Sequence, residues 1–162
     1  MGAVSTKPPP FQVFLDSNRD VVWRYLVSAV GASEAEDCFQ ETFIAALRAY
    51  PRLREDSNLR AWVLTIAHRK ALDAHRSRAR KPRPVAEIEV LDERTTAPAP
   101  EGEGELWRAV RELPPRQRSA VALRFIADLA HREIAATIGC SEEAARRSLH
   151  EGLATLRAEV AT

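Results

Sequence analysis

Cysteine, methionine and lysine are all scarce in this chain of 162 residues: two cysteines, Cys38 and Cys140, one methionine, and only Lys7, Lys70 and Lys81 among 24 basic side chains. Two cysteines in segments that read as helix and turn exclude a stapled secreted fold and are expected as packed free thiols. No apolar run approaches the roughly 20 residues that a membrane helix needs, so no membrane insertion is expected. No positive-apolar-small leader opens the chain, and the expectation is a cytoplasmic protein. HExxH, CxxC and a glycine-rich phosphate loop are all missing, which removes the common motifs for metal, redox and nucleotide chemistry. No enzymatic activity, metal, cofactor or small-molecule substrate is therefore expected.

What is present is helical pattern and segregated charge. Apolar residues make up 45% and charged residues 29%, enough for one packed domain or two small ones. The net charge of +1 hides a sharp division. Arg69, Lys70, Arg76, Arg78, Arg80, Lys81 and Arg83 face the single acid Asp73, whereas Glu87, Glu89, Asp92, Glu93, Glu101 and Glu103 are balanced only by Arg94. A basic helix leads into an acidic tether.

Helical spacing from Phe11 to Val30 predicts a first helix stopped by Gly31. Ser33 with Glu36 three residues later has the form of a capping box for a second. Its core stripe reads Ala35, Cys38, Phe39, Phe43, Ala46, Leu47 and Tyr50, and Pro51 ends it. Ser57 is the expected cap of a third helix, carrying Leu59, Trp62, Val63, Ile66 and Ala67 and running to about Arg80. The domain plan is a disordered lead-in over 1–10, a first helical domain over 11–81, a proline-rich acidic linker over 82–104, and a second helical domain over 105–162. In the second, Ile134, Ala135, Ile138, Gly139, Cys140, Ser141, Ala145, Leu149, Leu153 and Leu156 form a helix-turn-helix pattern. The fold class is all-α.

Three surfaces stand out. Asp37, Gln40, Glu41, Ile44 and Arg48 stripe the outer face of the second helix, either as an ordinary solvated face or as a mixed acid and apolar ridge suited to a basic helical partner. The basic end of the third helix suits phosphate, because each contact releases condensed counterions. A favourable helix dipole accounts for one or two of those cations but not for a run. The loop before it lies where an unstacked base could be clamped. On the last helix, Glu142, Glu143, Arg146, Arg147 and His150 point away from the apolar stripe, with the arginines placed to read bases or phosphates.

Four motifs give these surfaces a family. Ala35-Glu36-Asp37-Cys38-Phe39-Gln40-Glu41-Thr42-Phe43 resembles the A-E-D-x-x-Q-E-T-F helix of the extracytoplasmic-function sigma factors. Asp56-Ser57-Asn58-Leu59-Arg60-Ala61-Trp62-Val63 and Ile66-Ala67-His68-Arg69-Lys70-Ala71-Leu72-Asp73 are similar to that family's D-S-x-L-R-T-W-L and I-A-R-N-x-A-L-D. Leu113-Pro114-Pro115-Arg116-Gln117-Arg118 is similar to L-P-x-R-Q-R. The resemblance runs in order from Phe11 to Val160.

It implies that Asp37, Gln40, Glu41 and Ile44 bind core RNA polymerase, whose β′ clamp helices and β flap are the implied docking points. It implies contact with the −10 element by Arg54, Asp56, Ser57, Asn58, Arg60, Trp62, His68, Arg69, Lys70, Asp73, Arg76 and Arg80. Contact with the −35 element falls to Arg116, Arg118, Ser141, Glu142, Glu143, Arg146, Arg147 and His150. Promoter DNA, duplex and single-stranded, is then the second partner, and an anti-sigma factor a further one. Two departures stand against the pattern: Glu55 replaces a common glycine in the loop, and Glu151 stands where a cation usually meets phosphate. A helix-turn-helix regulator acting without polymerase is the alternative reading.

Overall fold

The computed structural model describes residues 7–54, 57–80 and 104–161. The expected linker over 82–104 lies outside the described residues apart from Gly104, as do residues 1–6 of the lead-in and the loop residues Glu55 and Asp56. Among the described residues the regular structure is all helical. The helices are α1 (Phe11–Val30), α2 (Ala32–Ala49), α3 (Leu59–Arg80), α4 (Gly104–Glu112), α5 (Pro115–Phe125), α6 (His131–Ile138) and α7 (Glu142–Val160), with a 3₁₀ turn at Tyr50–Arg52.

The first three helices pack pairwise. From α1 come Phe14, Val22, Tyr25 and Leu26, from α2 Ala35, Cys38, Phe43 and Ala46, and from α3 Val63, Leu64, Ala67 and Ala71. Alanines at the crossing positions let the backbones approach, while Thr42, fully buried, returns its hydroxyl to the Cys38 carbonyl at 2.6 Å and so leaves no polar group unpaired. Gly31, at φ 83°, makes the turn between α1 and α2 in a conformation a side chain would oppose. The expected Ser33 cap does not form: α2 starts two residues earlier than that cap would set, at Ala32, with Gly31 before it and no side-chain cap bond. The cap of α3 is likewise Asn58 in place of Ser57, its Oδ1 accepting from the Ala61 amide at 3.2 Å. Both residues belong to the preferred cap set, so composition alone does not separate neighbours.

The lead-in is tied down at its end. Tyr50 donates its hydroxyl to the Pro9 carbonyl, and Phe11, Phe14, Tyr50 and Trp62 stack in tilted and edge contacts with ring centroids 5.3–6.3 Å apart. Each such contact adds about 0.5–1.5 kcal/mol to plain burial.

The last four helices enclose Val110, Leu113, Val121, Leu123, Leu129, Ile134, Ala145, Leu149 and Leu156. Pro115 opens α5 at a position where its missing N–H costs nothing. Gly139, at φ 81°, turns α6 into α7, and the Ser141 hydroxyl caps α7 by accepting from the Ala144 amide at 3.1 Å. The two helical units touch: α3 lies along α6, and α1 lies against α4 and α5.

Candidate polymerase and nucleic-acid interface

On α2 the side chains of Asp37, Gln40, Glu41 and Ile44 all reach solvent, opposite the core face. Leu47, expected in the core stripe, instead stands 54% exposed beside Ile44 at 51%. It lies about 100° round the helix from buried Ala46, which carries it past the edge of the apolar stripe. The ridge is therefore two aliphatic anchors flanked by acids. Its negative potential registers on Cys38: burial first, then the carboxylates of Glu34, Glu41, Asp37 and Asp73, push that thiol up to about 11. Its Sγ points to the Lys70 carbonyl at 3.8 Å.

Along α3 the cations are displayed unequally. Arg54 in the preceding loop and Arg60, Arg69, Arg76 and Arg80 on the helix are exposed, and Lys70 is half-buried. Arg76 lies 4.0 Å from Asp73, but both side chains are more than 60% exposed, so water keeps that pair weak and the arginine available. Arg78, by contrast, is committed to Glu34 at 2.6 Å and pins the end of α3 to α2. Ser57 is half-buried, and Trp62 is half-buried among the aromatic rings at the start of the helix. His68 is placed differently from the sequence expectation. It is buried, its Nδ1 2.8 Å from the Tyr25 hydroxyl, with its pKa lowered by burial and by the neighbouring Arg69 charge, so it faces the interior and not a DNA strand. An i, i+1 neighbour of an exposed arginine necessarily points elsewhere on the helix. Asp56 lies outside the described residues.

In the second unit, Ser141, Glu142, Glu143, Arg146, Arg147 and His150 are all exposed on α7. Arg146 bonds Glu142 one turn back at 2.8 Å, whereas Arg147 beside it extends into solvent. Glu151 accepts from Gln117 Nε2 at 3.3 Å, which ties this acid to α5. Arg116 is exposed, but Arg118 is half-buried, donates to the Arg111 carbonyl at 3.1 Å and has its pKa lowered by desolvation. Behind α7 opens an apolar cleft of about 480 Å³ lined by Leu106, Trp107, Val110, Phe125, Leu153 and Leu156. Phe125 is 61% exposed there.

Between the units, four residues that no sequence pattern connects form polar pairs. Asn58 Nδ2 donates to Glu133 Oε2, and the Thr65 and Thr137 hydroxyls meet at 3.2 Å. Arg60 Nη1 also donates to the Ala127 carbonyl at 3.3 Å. Pairs so far apart along the chain carry no periodic signal. Among the described residues no helix is long and apolar enough to cross a membrane, and no group of three or more metal-ligating side chains gathers.

Comparison with known proteins agrees with this arrangement. Residues 14–81 match the family described as Sigma-70 region 2, and residues 103–156 match Sigma-70, region 4. A probable RNA polymerase sigma-C factor of Mycobacterium bovis is 31% identical over 132 residues, spanning 80% of this chain and 71% of its own. The ECF RNA polymerase sigma factor SigD of the same species is 34% identical over 160 residues, 90% of this chain and 74% of its own. In fold, the chain is similar to the sigma factor RpoE solved with the anti-sigma factor NepR from Bartonella quintana, with a TM-score of 0.78, 22% identity, and 94% and 97% of the two chains covered.

Proposed function

The chain belongs to the ECF sigma factors of bacterial RNA polymerase, which direct transcription initiation, and from that membership we propose how its surfaces divide the work. The α2 ridge of Asp37, Gln40, Glu41, Ile44 and Leu47 docks core polymerase. The start of α3 with Ser57, Asn58, Arg60 and Trp62, followed by Arg69, Lys70, Arg76 and Arg80, takes the displaced strand of the −10 element. The α7 face of Arg146, Arg147 and His150, with Arg116 on α5, reads the −35 duplex. The first domain covers 11–81 and the second 105–162. The apolar cleft behind α7 accepts a helix, and polymerase offers one at its β flap.

The observation that carries this reading is the pairing of two chemically opposite exposed faces in one small unit. The acid and aliphatic ridge on α2 repels DNA but suits a basic helix, while the cations of α3 suit phosphate and would repel such a helix. A protein that must hold an enzyme and a nucleic-acid strand together needs both. Solved sigma factors with the same fold are held by anti-sigma factors, and a protein of that kind is the expected inhibitor of this chain. Its place of action is with polymerase in the cytoplasm.

The decisive test is transcription by purified core polymerase over a library of upstream sequences. Addition of the chain should yield promoter-specific starts, and their failure to appear would remove the assignment. In the same system, Asp37→Lys with Glu41→Lys should weaken core binding by about tenfold or more, since a rim charge reversal replaces attraction by repulsion. Binding of the full chain to duplex −35 DNA should stay at its original level. Unchanged core affinity would take the dock away from α2.

A further inference from the structure

We infer that two side chains of α7, Glu143 and Arg147, choose the bases of the −35 element, the carboxylate taking a cytosine and the guanidinium a guanine one or two base pairs away. The inference rests on the assignment of α7 to the −35 duplex. Two acid and arginine pairs with the same i, i+4 spacing stand side by side on this helix. One is closed, with Arg146 Nη2 donating to Glu142 Oε1 at 2.8 Å. The other is open. Among the described residues Glu143 and Arg147 close no pair, and both extend into solvent.

Position on the helix separates the two pairs further. Glu143, Arg147 and His150 follow at i, i+4 and i+7 on the side away from buried Ala145, Leu149 and Leu156. Glu142 and Arg146 each stand about 100° round the helix from their counterparts, on one flank of that stripe. On the other flank Glu151 is taken by Gln117 at 3.3 Å. The Ser141 hydroxyl accepts from the Ala144 amide, so the backbone that carries Glu143 is set before DNA arrives. The first residues of such a helix are those that reach base edges. A rise of about 1.5 Å per residue puts Glu143 and Arg147 about 6 Å apart along the axis, between one and two base steps of about 3.4 Å.

The chemistry of the two groups then names the bases. A carboxylate only accepts. Cytosine N4 offers it a donor in the major groove, guanine O6 and N7 and thymine O4 repel it, and adenine sets its N7 acceptor beside the N6 amine. Arg147 has the opposite demand and meets guanine O6 and N7 with two donors. A negative group on this face also weakens attraction to every phosphate backbone, a loss offset only where the facing base donates. Glu143 therefore discriminates chiefly by rejection, and Arg147 by attraction. Arg146, already holding a carboxylate, is left to the phosphates, which carry no sequence information.

The test uses the full chain with core polymerase on promoters randomised upstream, and the favoured bases are read by sequencing the transcribed templates. The original chain should prefer cytosine at one base pair by about tenfold, with guanine preferred one or two pairs away. Glu143→Gln exchanges an acceptor for an amide that suits adenine N6 and N7, so the preference at that pair should move from cytosine to adenine. Glu143→Ala should flatten the same pair, and Arg147→Ala the guanine pair alone. Both positions are exposed, and circular dichroism should show the helix content of the original chain. Base preferences that survive both Glu143 variants overturn its role while leaving α7 as the −35 helix. An original chain that favours no upstream base overturns the α7 assignment and this inference together.

Discussion

Tyr25 and His68 come from α1 and α3 and meet in one hydrogen bond of 2.8 Å, with Tyr25 1% and His68 7% exposed. Burial raises the tyrosine pKa and lowers that of the histidine, so the folded chain holds both neutral. Tyr25→Phe removes the hydroxyl and leaves a buried ring nitrogen without its partner, at a cost of about 1–3 kcal/mol in a urea melt. The histidine also makes stability depend on pH. Its folded pKa lies below the ordinary 6.5, so as pH falls through 6.5 the unfolded chain takes up a proton that the folded chain refuses. Stability therefore drops as pH falls from 6.5 toward the depressed folded value, and this contribution levels off below it. His68→Gln should abolish that contribution to the loss of stability below pH 6.5. Identical slopes in the two proteins would show that the ring titrates freely.

At the scale of elements, the crossing of α5 and α7 depends on a glycine in a helix interior. A Cβ added at Gly152 would come 3.0 Å from Val121 Cγ2 and 3.4 Å from Gln117 Cβ. Alanine gains about 1 kcal/mol over glycine in a helix interior, but overpacking a filled seam costs about 1–3 kcal/mol. Gly152→Ala is expected to lower stability by about 1 kcal/mol on balance and to weaken −35 duplex binding as α7 shifts. A raised melting temperature would mean that the helices are not so close. Gly139→Ala meets no atom within 4 Å yet sits at φ 81°, so it should lose about 1 kcal/mol through backbone strain alone. The helices themselves were legible in the sequence, because apolar spacing, Gly31, Gly139, Ser141 and Pro114-Pro115 mark faces and ends directly. Leu47 reads as core but stands exposed because it lies at a stripe edge, where a fraction of a turn decides between core and solvent. His68 was misplaced because a basic segment wraps the whole helix while only part of it faces outward. The cross-unit pairs of Asn58 and Thr65 were invisible, since neither periodicity nor motif links residues so far apart.

Across the whole molecule, charge is arranged by function and not by its sum. The six cations of α3 and the six acids between Glu87 and Glu103 offset each other, and the whole chain sums to only +1 although it handles DNA. Those acids lie outside the described residues, and by sequence they follow just after the basic end of α3. On the expectation that this acidic segment is a tether, we predict that it competes with phosphate for nearby arginines at a high effective concentration. Such competition would weaken binding to any DNA, while the promoter, with two elements held at once, would lose proportionally less. Changing Glu87, Glu89, Glu93, Glu101 and Glu103 to Gln and Asp92 to Asn removes the competitor. Affinity for random duplex should then rise by about tenfold at low salt, with a steeper dependence on salt concentration because more phosphate contacts release counterions. Near 1 M salt, where screening acts within about 3 Å, the variant and the original chain should bind alike. In transcription with an excess of competitor DNA, the neutralised chain should lose promoter selectivity although its α3 and α7 faces are unchanged. Equal random-duplex affinity at low salt would mean that the acids never reach the basic surface, and the near-zero net charge would then carry no mechanistic weight.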